Sequence, residues 1–328
     1  MSLLEVSDLH THFVTRDRDD RIRTARALNG VGFTLQKGRI LGLVGESGAG
    51  KSLTVTSILG LLHPPARVVA GRALFQGRDL LAMSASERSA LRGNRIGFVV
   101  QSAKASLDPL ARVGEQLVRV QRAHARRSRR EAMERAEAIL AAVSIPDPKR
   151  RLAAWPHEFS GGMAQRVVIA LALVNEPDLL IADEPTTALD VTVQAQILDL
   201  LSAAVRGRGI GAIIVTHDLG VVAQYCDDVA VMFAGSVVEQ GPVAEVFPRP
   251  MHPYTQALLA ATPERLRLGA GLRLGGPPPN LYALPEGCCY RLRCDRSRDV
   301  CRSAPPLAQV GDQRAACHFA REPAEAEA

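Results

Sequence analysis

The feature that most constrains this chain is the run GESGAGKS at residues 45–52, which has the form G-x-x-x-x-G-K-S. The apolar run at 40–44 that precedes it predicts a buried strand. The glycines let the backbone curl so that its N–H groups converge on phosphate oxygens, and the helix opening after the loop directs its positive end toward the same anion. The sequence therefore predicts a strand, a phosphate loop and a helix in succession. The alternative is a glycine-rich turn that binds nothing.

The residues of this phosphate loop have distinct expected roles toward a bound nucleoside triphosphate. Lys51 is expected to neutralise the β- and γ-phosphates, and the hydroxyl group of Ser52 is expected to bind Mg²⁺. The remaining contacts to the nucleotide are expected from the loop and from the first turn of the helix. The residues expected to make them are Gly45, Ser47, Gly48, Ala49, Gly50 and Leu53.

Two carboxylates follow another apolar run, at residues 179–182. They lie at the carboxyl end of a predicted parallel strand, which is where ligands bind in open α/β sheets. Asp183 can bind Mg²⁺ through water, and Glu184 can orient and deprotonate the water that attacks the γ-phosphate. Without a phosphate loop in the same chain, such a carboxylate pair would as readily cap the next helix.

Gln101 and His217 each end a further predicted strand. The neutral amide of Gln101 can contact the metal and the attacking water, whereas alone it would be an ordinary surface glutamine. His217 can contact the γ-phosphate and hold Glu184 in place, although a single histidine is more often only hydrogen-bonded. Together with the phosphate loop, these side chains predict a site that hydrolyses ATP.

A second phosphate-binding surface is predicted at Ser160-Gly161-Gly162, which a predicted helix follows directly. It presents a hydroxyl group and bare backbone N–H groups at a helix N-terminus. One chain needs only one cradle for a triphosphate. The economical interpretation is that this surface completes the site of another copy or relative, so that ATP is held at a dimer interface.

The order of the predicted elements favours an α/β fold. Strands alternate with helices from residue 179 onward, which is typical of a parallel sheet with helices on its faces. Apolar spacing predicts helices at 113–124 and 129–143, while 3–35 predicts short strands and turns and 71–78 a hairpin. The 328 residues are 47% hydrophobic and only 4% aromatic, which suits an aliphatic core.

Charge and hydropathy limit where the protein is expected to act. The formal net charge of +6 can suit nucleic acid or an anionic membrane surface, but part of the excess is local, in arginine groups at 122–130 and 291–302. No apolar run is long enough to span a bilayer, and the N-terminus lacks the layout of a signal peptide. The chain is therefore expected to be cytoplasmic, or attached to a membrane only through a partner.

In number and order, these elements resemble the motifs of the ATP-binding cassette (ABC) ATPases over roughly residues 1–256. The matching segments are Walker A (45–52), the Q-loop (Gln101), the signature motif (159–163), Walker B (179–184), the D-loop (Ala188-Leu189-Asp190) and the switch histidine (His217). The resemblance implies a RecA-like P-loop core with an antiparallel β subdomain and a helical subdomain at about 102–174. It also implies ATP hydrolysis coupled to a membrane partner.

The resemblance also implies roles for particular residues. Mg²⁺ would be held through Ser52, Gln101 and Asp183, with Glu184, His217 and Gln101 in catalytic roles. Phe13 is the candidate for the aromatic side chain that stacks on adenine. In a head-to-tail dimer, a further set would act on the partner's nucleotide or lie in the D-loop. That set is Ser160, Gly161, Gly162 and Gln165 of the signature, and Asp190 of the D-loop.

Three longer segments, at 161–166, 183–192 and 252–255, are similar to the ATPases of dipeptide and oligopeptide importers, of the DppD/OppD type. This similarity implies an ATPase subunit that powers peptide uptake from the cytoplasmic face of the bacterial inner membrane. The implied partners are a second ATPase subunit in a heterodimer, two transmembrane permease subunits and an extracytoplasmic solute-binding protein. Direct binding to nucleic acid is not expected.

Two other functions stay open at the level of the sequence. Importers of nickel or other small solutes share these motifs, and substrate choice resides mainly in the membrane and extracytoplasmic partners. A non-transport ABC ATPase acting on nucleic acid is compatible with the net charge of +6. A single cassette without tandem repeat, coiled-coil insertion or interleaved aromatic and basic residues disfavours that function.

Residues 257–328 are expected to form a small cysteine-rich module. Its four separated cysteines have 5, 6 and 15 residues between them, which is looser than the C-x₂₋₄-C pairs of structural zinc sites. Cysteines clustered in a cytosolic chain indicate metal ligands, and the loose spacing favours a [4Fe–4S] cluster, which the importer resemblance also implies. Zinc and an apolar plug of reduced cysteines are the alternatives. The expected cluster ligands are Cys288, Cys294, Cys301 and Cys317.

Overall fold

The structure, a computed structural model, describes residues 2–16, 19–187, 189–262, 276–277 and 279–320. The strands are β1 (Ser2–Arg16), β2 (Ile22–Gln36), β3 (Ile40–Val44), β4 (Ala66–Phe75), β5 (Arg78–Asp79), β6 (Ile96–Val99), β7 (Leu179–Asp183), β8 (Gly211–Thr216), β9 (Asp228–Phe233), β10 (Ser236–Pro242), β11 (Ala308–Val310) and β12 (Gln313–Ala315). The helices are α1 (Lys51–Leu59), α2 (Ala85–Leu91), α3 (Ala103–Ser106), α4 (Val113–His124), α5 (Arg129–Ala142), α6 (Pro148–Arg151), α7 (Gly161–Leu173), α8 (Val191–Arg208), α9 (Leu219–Tyr225), α10 (Val243–Val246) and α11 (Pro253–Ala260).

The chain divides into two compact units. The first unit comprises Leu35–Ile40 and Met83–Val215, and the second comprises Ser2–Thr34, Leu41–Ala82 and Thr216–Ala328. Helices α2 to α8 all belong to the first unit. Within the described ranges, no helix is both long enough and apolar enough to cross a membrane.

In the first unit, three parallel strands lie in the order β6-β7-β8. Their pairing places Ile96 beside Leu179, and Asp183 beside Val215. Strands β7 and β8 are buried along their whole length, as expected for apolar strands of a parallel sheet. The buried strand predicted before the carboxylate pair is therefore confirmed.

The two helices predicted from apolar spacing are confirmed as α4 and α5. Helix α4 has the predicted limits, and α5 ends one residue earlier than predicted. Helix α5 begins after Ser128, whose side chain accepts a hydrogen bond from the backbone N–H of Glu131 at 3.1 Å and so caps the helix. The residues of α5 that are buried recur at helical spacing, namely Ala132, Ala136, Ile139 and Leu140.

The second unit contains a four-stranded antiparallel sheet in the order β2-β1-β4-β5. Its first two strands are 15 residues each, so the prediction of short strands and turns at 3–35 is wrong. The physical reason is an irregularity between Ser7 and His10, where Asp8 takes a φ of 49° and interrupts the alternation of a continuous strand. The predicted hairpin is confirmed, with its turn between paired Phe75 and Arg78.

Strands of the second unit also form a ladder in the order β3-β9-β10-β12-β11. Strand β3 is parallel to β9, and the remaining pairs are antiparallel. Ala234 and Gly235, with φ of 48° and 79°, form the turn between β9 and β10. Pairing of Glu239 with Ala315 joins the C-terminal strands to this ladder. Strands β11 and β12 are therefore built onto the same unit that carries the phosphate loop.

Candidate functional site

The phosphate loop follows β3 and leads into α1, as the sequence predicts. Gly45 has a φ of 151°, and a Cβ atom there would lie 2.2 Å from the carbonyl oxygen of Met232. Gly50 has a φ of 102°, and its Cβ atom would lie 2.7 Å from a methyl carbon of Leu28. Both ends of the loop thus require glycine, for conformation and for space.

The lysine of the loop is buried, while the middle of the loop is exposed. The Lys51 ammonium donates hydrogen bonds to the carbonyl oxygens of Gly45 and Glu46, at 2.7 Å and 3.0 Å. Ser47, Gly48 and Ser52 are exposed, Ala49 is buried and Leu53 is half-buried. The exposed stretch and the first turn of α1 are the parts available to an anion.

Two other predicted residues belong to the second unit. Phe13 lies in β1, paired with Ala66, and is half-buried. His217 is exposed and directly follows β8. Asp218 accepts a hydrogen bond from the Gly220 N–H at 2.8 Å and so caps α9. The stacking of Phe13 on adenine and the contacts of His217 with Glu184 and phosphate stay predictions.

The first unit brings Gln101 and Glu184 together. The Glu184 carboxylate accepts hydrogen bonds from the Gln101 side-chain amide at 3.0 Å and from the Thr187 hydroxyl at 2.8 Å. Its backbone takes a left-handed φ of 45°, and its N–H donates to the carbonyl oxygen of Val215 at 2.9 Å. A non-glycine residue in this conformation is unfavourable by about 1–3 kcal/mol, and such residues cluster at functional sites.

This arrangement suits a carboxylate that acts on water. Two donors fix one oxygen of Glu184, so the group is oriented before any substrate binds. Asp183, the last residue of β7, is 6% exposed, so the two neighbouring carboxylates occupy different environments. Carboxylate oxygens are ligands for hard cations such as Mg²⁺, and a positioned carboxylate can act as a general base, so both predicted roles are open to this pair.

The signature residues lie at the start of α7. The Ser160 hydroxyl accepts a hydrogen bond from the Met163 N–H at 3.3 Å and caps the helix, which confirms the predicted helix N-terminus. A Cβ atom on Gly162 would lie 2.6 Å from a methyl carbon of Val193 in α8, whereas Gly161 has more space. Part of the glycine requirement in this motif is therefore helix packing.

Two further predicted residues, Gln165 of the signature helix and Asp190 of the D-loop, lie in the first unit. Gln165 is 4% exposed, which places its side chain in the interior of the first unit. Asp190 accepts a hydrogen bond from the Val193 N–H at 3.0 Å and caps α8. Ala188 of the D-loop lies outside the described residues. The roles of Gln165 and Asp190 toward a partner's ATP stay predictions.

The four proposed cluster ligands lie in the described part of the C-terminal module as free cysteines. The Cys288 N–H donates to the carbonyl oxygen of Cys301 at 2.9 Å. Burial, followed by the nearby Cys301 and Cys317 thiols, raises the pKa of Cys288. Burial also raises the pKa of Cys294, to about 11. Among the residues described, no three Cys, His, Asp or Glu side chains are arranged to hold a metal ion.

Sequence reasoning missed two residues that contact the phosphate loop. The Arg293 guanidinium donates two hydrogen bonds to the Glu46 carboxylate, and the Tyr254 hydroxyl accepts one from the Glu46 N–H. These partners are 247 and 208 residues from Glu46 along the chain. No local pattern could have revealed either contact.

Two sequence profiles match the chain. One described as "ABC transporter" matches residues 28–187, and one described as "Oligopeptide/dipeptide transporter, C-terminal region" matches residues 238–301. A solved dimeric ATP-binding cassette, bound to ADP and Pi in a post-hydrolysis state, is 26% identical with a TM-score of 0.65. The match covers 73% of this chain and 98% of the solved cassette. This likeness confirms the α/β ABC ATPase cassette fold.

Curated relatives match nearly the whole chain. The oligopeptide transport ATP-binding protein OppD of Salmonella typhimurium is 48% identical over 306 residues, covering 93% of this chain and 90% of that protein. The dipeptide transport ATP-binding protein DppD of Bacillus subtilis is 46% identical, with 93% and 90% covered. The chain therefore belongs to the family of ATP-binding subunits of oligopeptide and dipeptide ABC transporters.

Proposed function

We propose that this chain hydrolyses ATP to power the import of dipeptides or oligopeptides across the bacterial cytoplasmic membrane. The observation that carries the proposal is the 48% identity to an oligopeptide transport ATP-binding protein over 93% of the chain. The oriented Glu184 carboxylate supplies the chemical group that hydrolysis needs. The domain limits, 1–256 for the ATPase and 257–328 for the C-terminal module, are part of this proposal.

In the proposed reaction, Lys51 and the loop N–H groups bind the phosphates, and Glu184 removes a proton from the attacking water. Gln101 orients the Glu184 carboxylate through its side-chain NH₂ group. His217 is proposed to contact the γ-phosphate. None of these side chains forms a covalent bond to phosphorus. They bind the phosphates, orient the water or accept its proton, as is usual in enzymes that catalyse phosphoryl transfer.

The residues proposed to hold Mg²⁺ fit that ion chemically. Ser52 offers a hydroxyl group, Asp183 a carboxylate and Gln101 an amide oxygen, and Mg²⁺ prefers such oxygen ligands. The Gln101 nitrogen is engaged with Glu184, which leaves its oxygen as the atom for a cation. Mg²⁺, when bound, would neutralise charge on the phosphate oxygens.

The proposed partners are inferred from the relatives, which are named as ATP-binding proteins of peptide transport. A second ATPase subunit is proposed to supply its signature surface to this chain's loop, while Ser160, Gly161 and Gly162 serve the partner's ATP. The pair is proposed to be a heterodimer that binds two permease subunits at the cytoplasmic face of the membrane, fed by an extracytoplasmic solute-binding protein. The exposed Leu110, at 86% exposure, lies near Gln101 in sequence and is available to a partner.

Peptide uptake tests this function directly. Deleting the gene for this chain is expected to abolish uptake of a labelled tripeptide and to leave nickel uptake unchanged, because the relatives transport peptides. Restoring the gene should restore uptake, which controls for effects on neighbouring genes. Loss of nickel uptake with normal peptide uptake would instead support the small-solute importer.

We also propose that Cys288, Cys294, Cys301 and Cys317 bind a [4Fe–4S] cluster. The support is the chemistry of the donors and not their geometry, because no three described side chains are arranged around a metal position. Four thiols lie in one short module, and the Cys288 N–H donates a hydrogen bond to the Cys301 carbonyl oxygen. Thiolates are the usual ligands of this cluster. The cluster would supply a cross-link between separate turns of the module, and zinc is the competing ion.

Metal analysis of anaerobically purified protein tests the cluster. The wild-type chain is expected to be coloured and to carry about four iron atoms, as a [4Fe–4S] cluster requires. Cys301→Ser should lose the iron and the colour. Cys289→Ser is the matched control, because Cys289 is adjacent to Cys288 but is not a proposed ligand. Colourless wild-type protein carrying one zinc ion would contradict the proposal.

A further inference from the structure

A bidentate salt bridge between Glu46 and Arg293 links the phosphate loop to the C-terminal module. The Arg293 guanidinium donates hydrogen bonds to both carboxylate oxygens of Glu46, at 2.8 Å and 3.0 Å. The Arg293 side chain is 7% exposed and the Glu46 side chain is 23% exposed. A forked pair largely removed from water fixes both position and direction, because the planar guanidinium matches the planar carboxylate.

Arg293 is itself held in place by aromatic rings. Its guanidinium carbon lies 5.3 Å from the ring centre of Phe233 and 5.7 Å from that of Tyr290. Its Nε atom is buried and has no hydrogen-bond partner within the described part of the chain. The bonds to Glu46 therefore satisfy a cation that is otherwise surrounded by rings.

The backbone of Glu46 is anchored from the same side. Its N–H donates a hydrogen bond to the hydroxyl oxygen of fully buried Tyr254, at 2.9 Å. The Tyr254 ring packs against Phe233, with ring centres 4.7 Å apart. The carbonyl oxygen of Glu46 accepts a hydrogen bond from the Lys51 ammonium at 3.0 Å. Glu46 thus connects the buried aromatic group to the lysine proposed to bind phosphate.

We propose that Arg293 is a positioning residue for ATP binding, which sets the affinity of the phosphate loop by holding and neutralising Glu46. The proposal rests on the proposed function of this loop as the ATP site. Without Arg293, the second residue of a loop that binds a polyanion would carry an uncompensated negative charge. The loop would also lose its side-chain attachment to the C-terminal module, leaving the Glu46 backbone held by Tyr254 and Lys51. The C-terminal module thereby becomes a contributor to nucleotide affinity.

The first test is the dissociation constant of the purified full chain for a fluorescent, non-hydrolysable ATP analogue. Arg293→Met is expected to raise this constant about tenfold, which corresponds to about 1.4 kcal/mol. Arg293→Lys keeps the charge but loses the fork and should raise it about threefold. Arg302→Met is the matched control, because it removes an exposed arginine beside Cys301 and should leave the constant unchanged.

The second test asks whether Arg293 acts through Glu46. If it does, Arg293→Met should change the dissociation constant by less than about twofold when Glu46→Gln is already present, since two groups that act through one contact are non-additive. A purely structural role of Arg293 would lower affinity equally in both backgrounds. In ATPase assays, Arg293→Met should raise KM far more than it lowers kcat.

The outcomes separate this inference from the proposed function. An unchanged dissociation constant in folded Arg293→Met, or equal losses with Glu46 and with Gln at position 46, overturns the inference and leaves ATP hydrolysis intact. Failure of the wild-type chain to bind the analogue overturns the proposed function itself. If Arg293→Met does not fold, Arg293→Lys decides, and a wild-type constant for that variant contradicts the inference.

Discussion

Glu184→Gln is expected to reduce ATP hydrolysis by at least about 100-fold, the lower end of what a general base contributes. The substitution removes the proton acceptor but keeps the size of the side chain and an oxygen that can accept a hydrogen bond from Gln101 or Thr187. Binding of ATP is expected to persist, because the phosphate loop is unchanged. Phosphate release by the purified subunit and nucleotide binding, measured on the same sample, check both parts.

The control for this variant is Glu176→Gln. Glu176 is an exposed carboxylate of the first unit, paired on the surface with Arg135 at 2.9 Å. The Glu176→Gln variant should hydrolyse ATP at the wild-type rate. Near-normal turnover in Glu184→Gln would remove Glu184 as the base and leave the proton acceptor to be found elsewhere.

Lys51→Ala is expected to weaken ATP binding about 100-fold, because a charge-assisted hydrogen bond is lost at each of two phosphate groups. The Lys51 ammonium also bonds to the carbonyl oxygens of Gly45 and Glu46, so the loop loses an internal contact as well. Titration with a fluorescent ATP analogue measures the loss. Lys37→Ala, at an exposed turn residue, is the control and should bind normally.

Lys51→Ala also separates the two halves of the proposed dimer. The variant keeps Ser160 and the glycines of the signature surface, which lie in the first unit. It should therefore still support ATP binding at the loop of its partner ATPase. If Lys51→Ala abolished nucleotide binding at the partner's loop as well as at its own, that result would contradict the proposed exchange of signature surfaces.

Much of the candidate site could be predicted from the sequence because its parts are local. The phosphate loop, the strand before Asp183 and the helix after Ser160 each depend on a short run of residues in which pattern and conformation agree. Helices α4 and α5 were predictable for the same reason, since apolar spacing marks both helices and a serine cap also marks the start of α5.

The rest could not be predicted because it depends on residues distant in sequence. The long strand β1 is hidden by the irregularity at Asp8, and the close packing of Gly162 on Val193 appears only once α7 and α8 are placed. The contact least accessible to sequence reasoning is the one between Glu46 and Arg293, which are 247 residues apart. In the sequence Arg293 directly precedes Cys294, an expected cluster ligand, whereas in the structure its side chain donates hydrogen bonds to Glu46 of the phosphate loop.

The central claim is that hydrolysis at this chain's own ATP site powers peptide import. Its most direct test measures ATP consumption and labelled-peptide uptake together in proteoliposomes containing the purified transporter. With the wild-type chain, uptake and hydrolysis are both expected, and Glu184→Gln should lose both. Peptide uptake at the wild-type rate in the Glu184→Gln transporter would contradict the account.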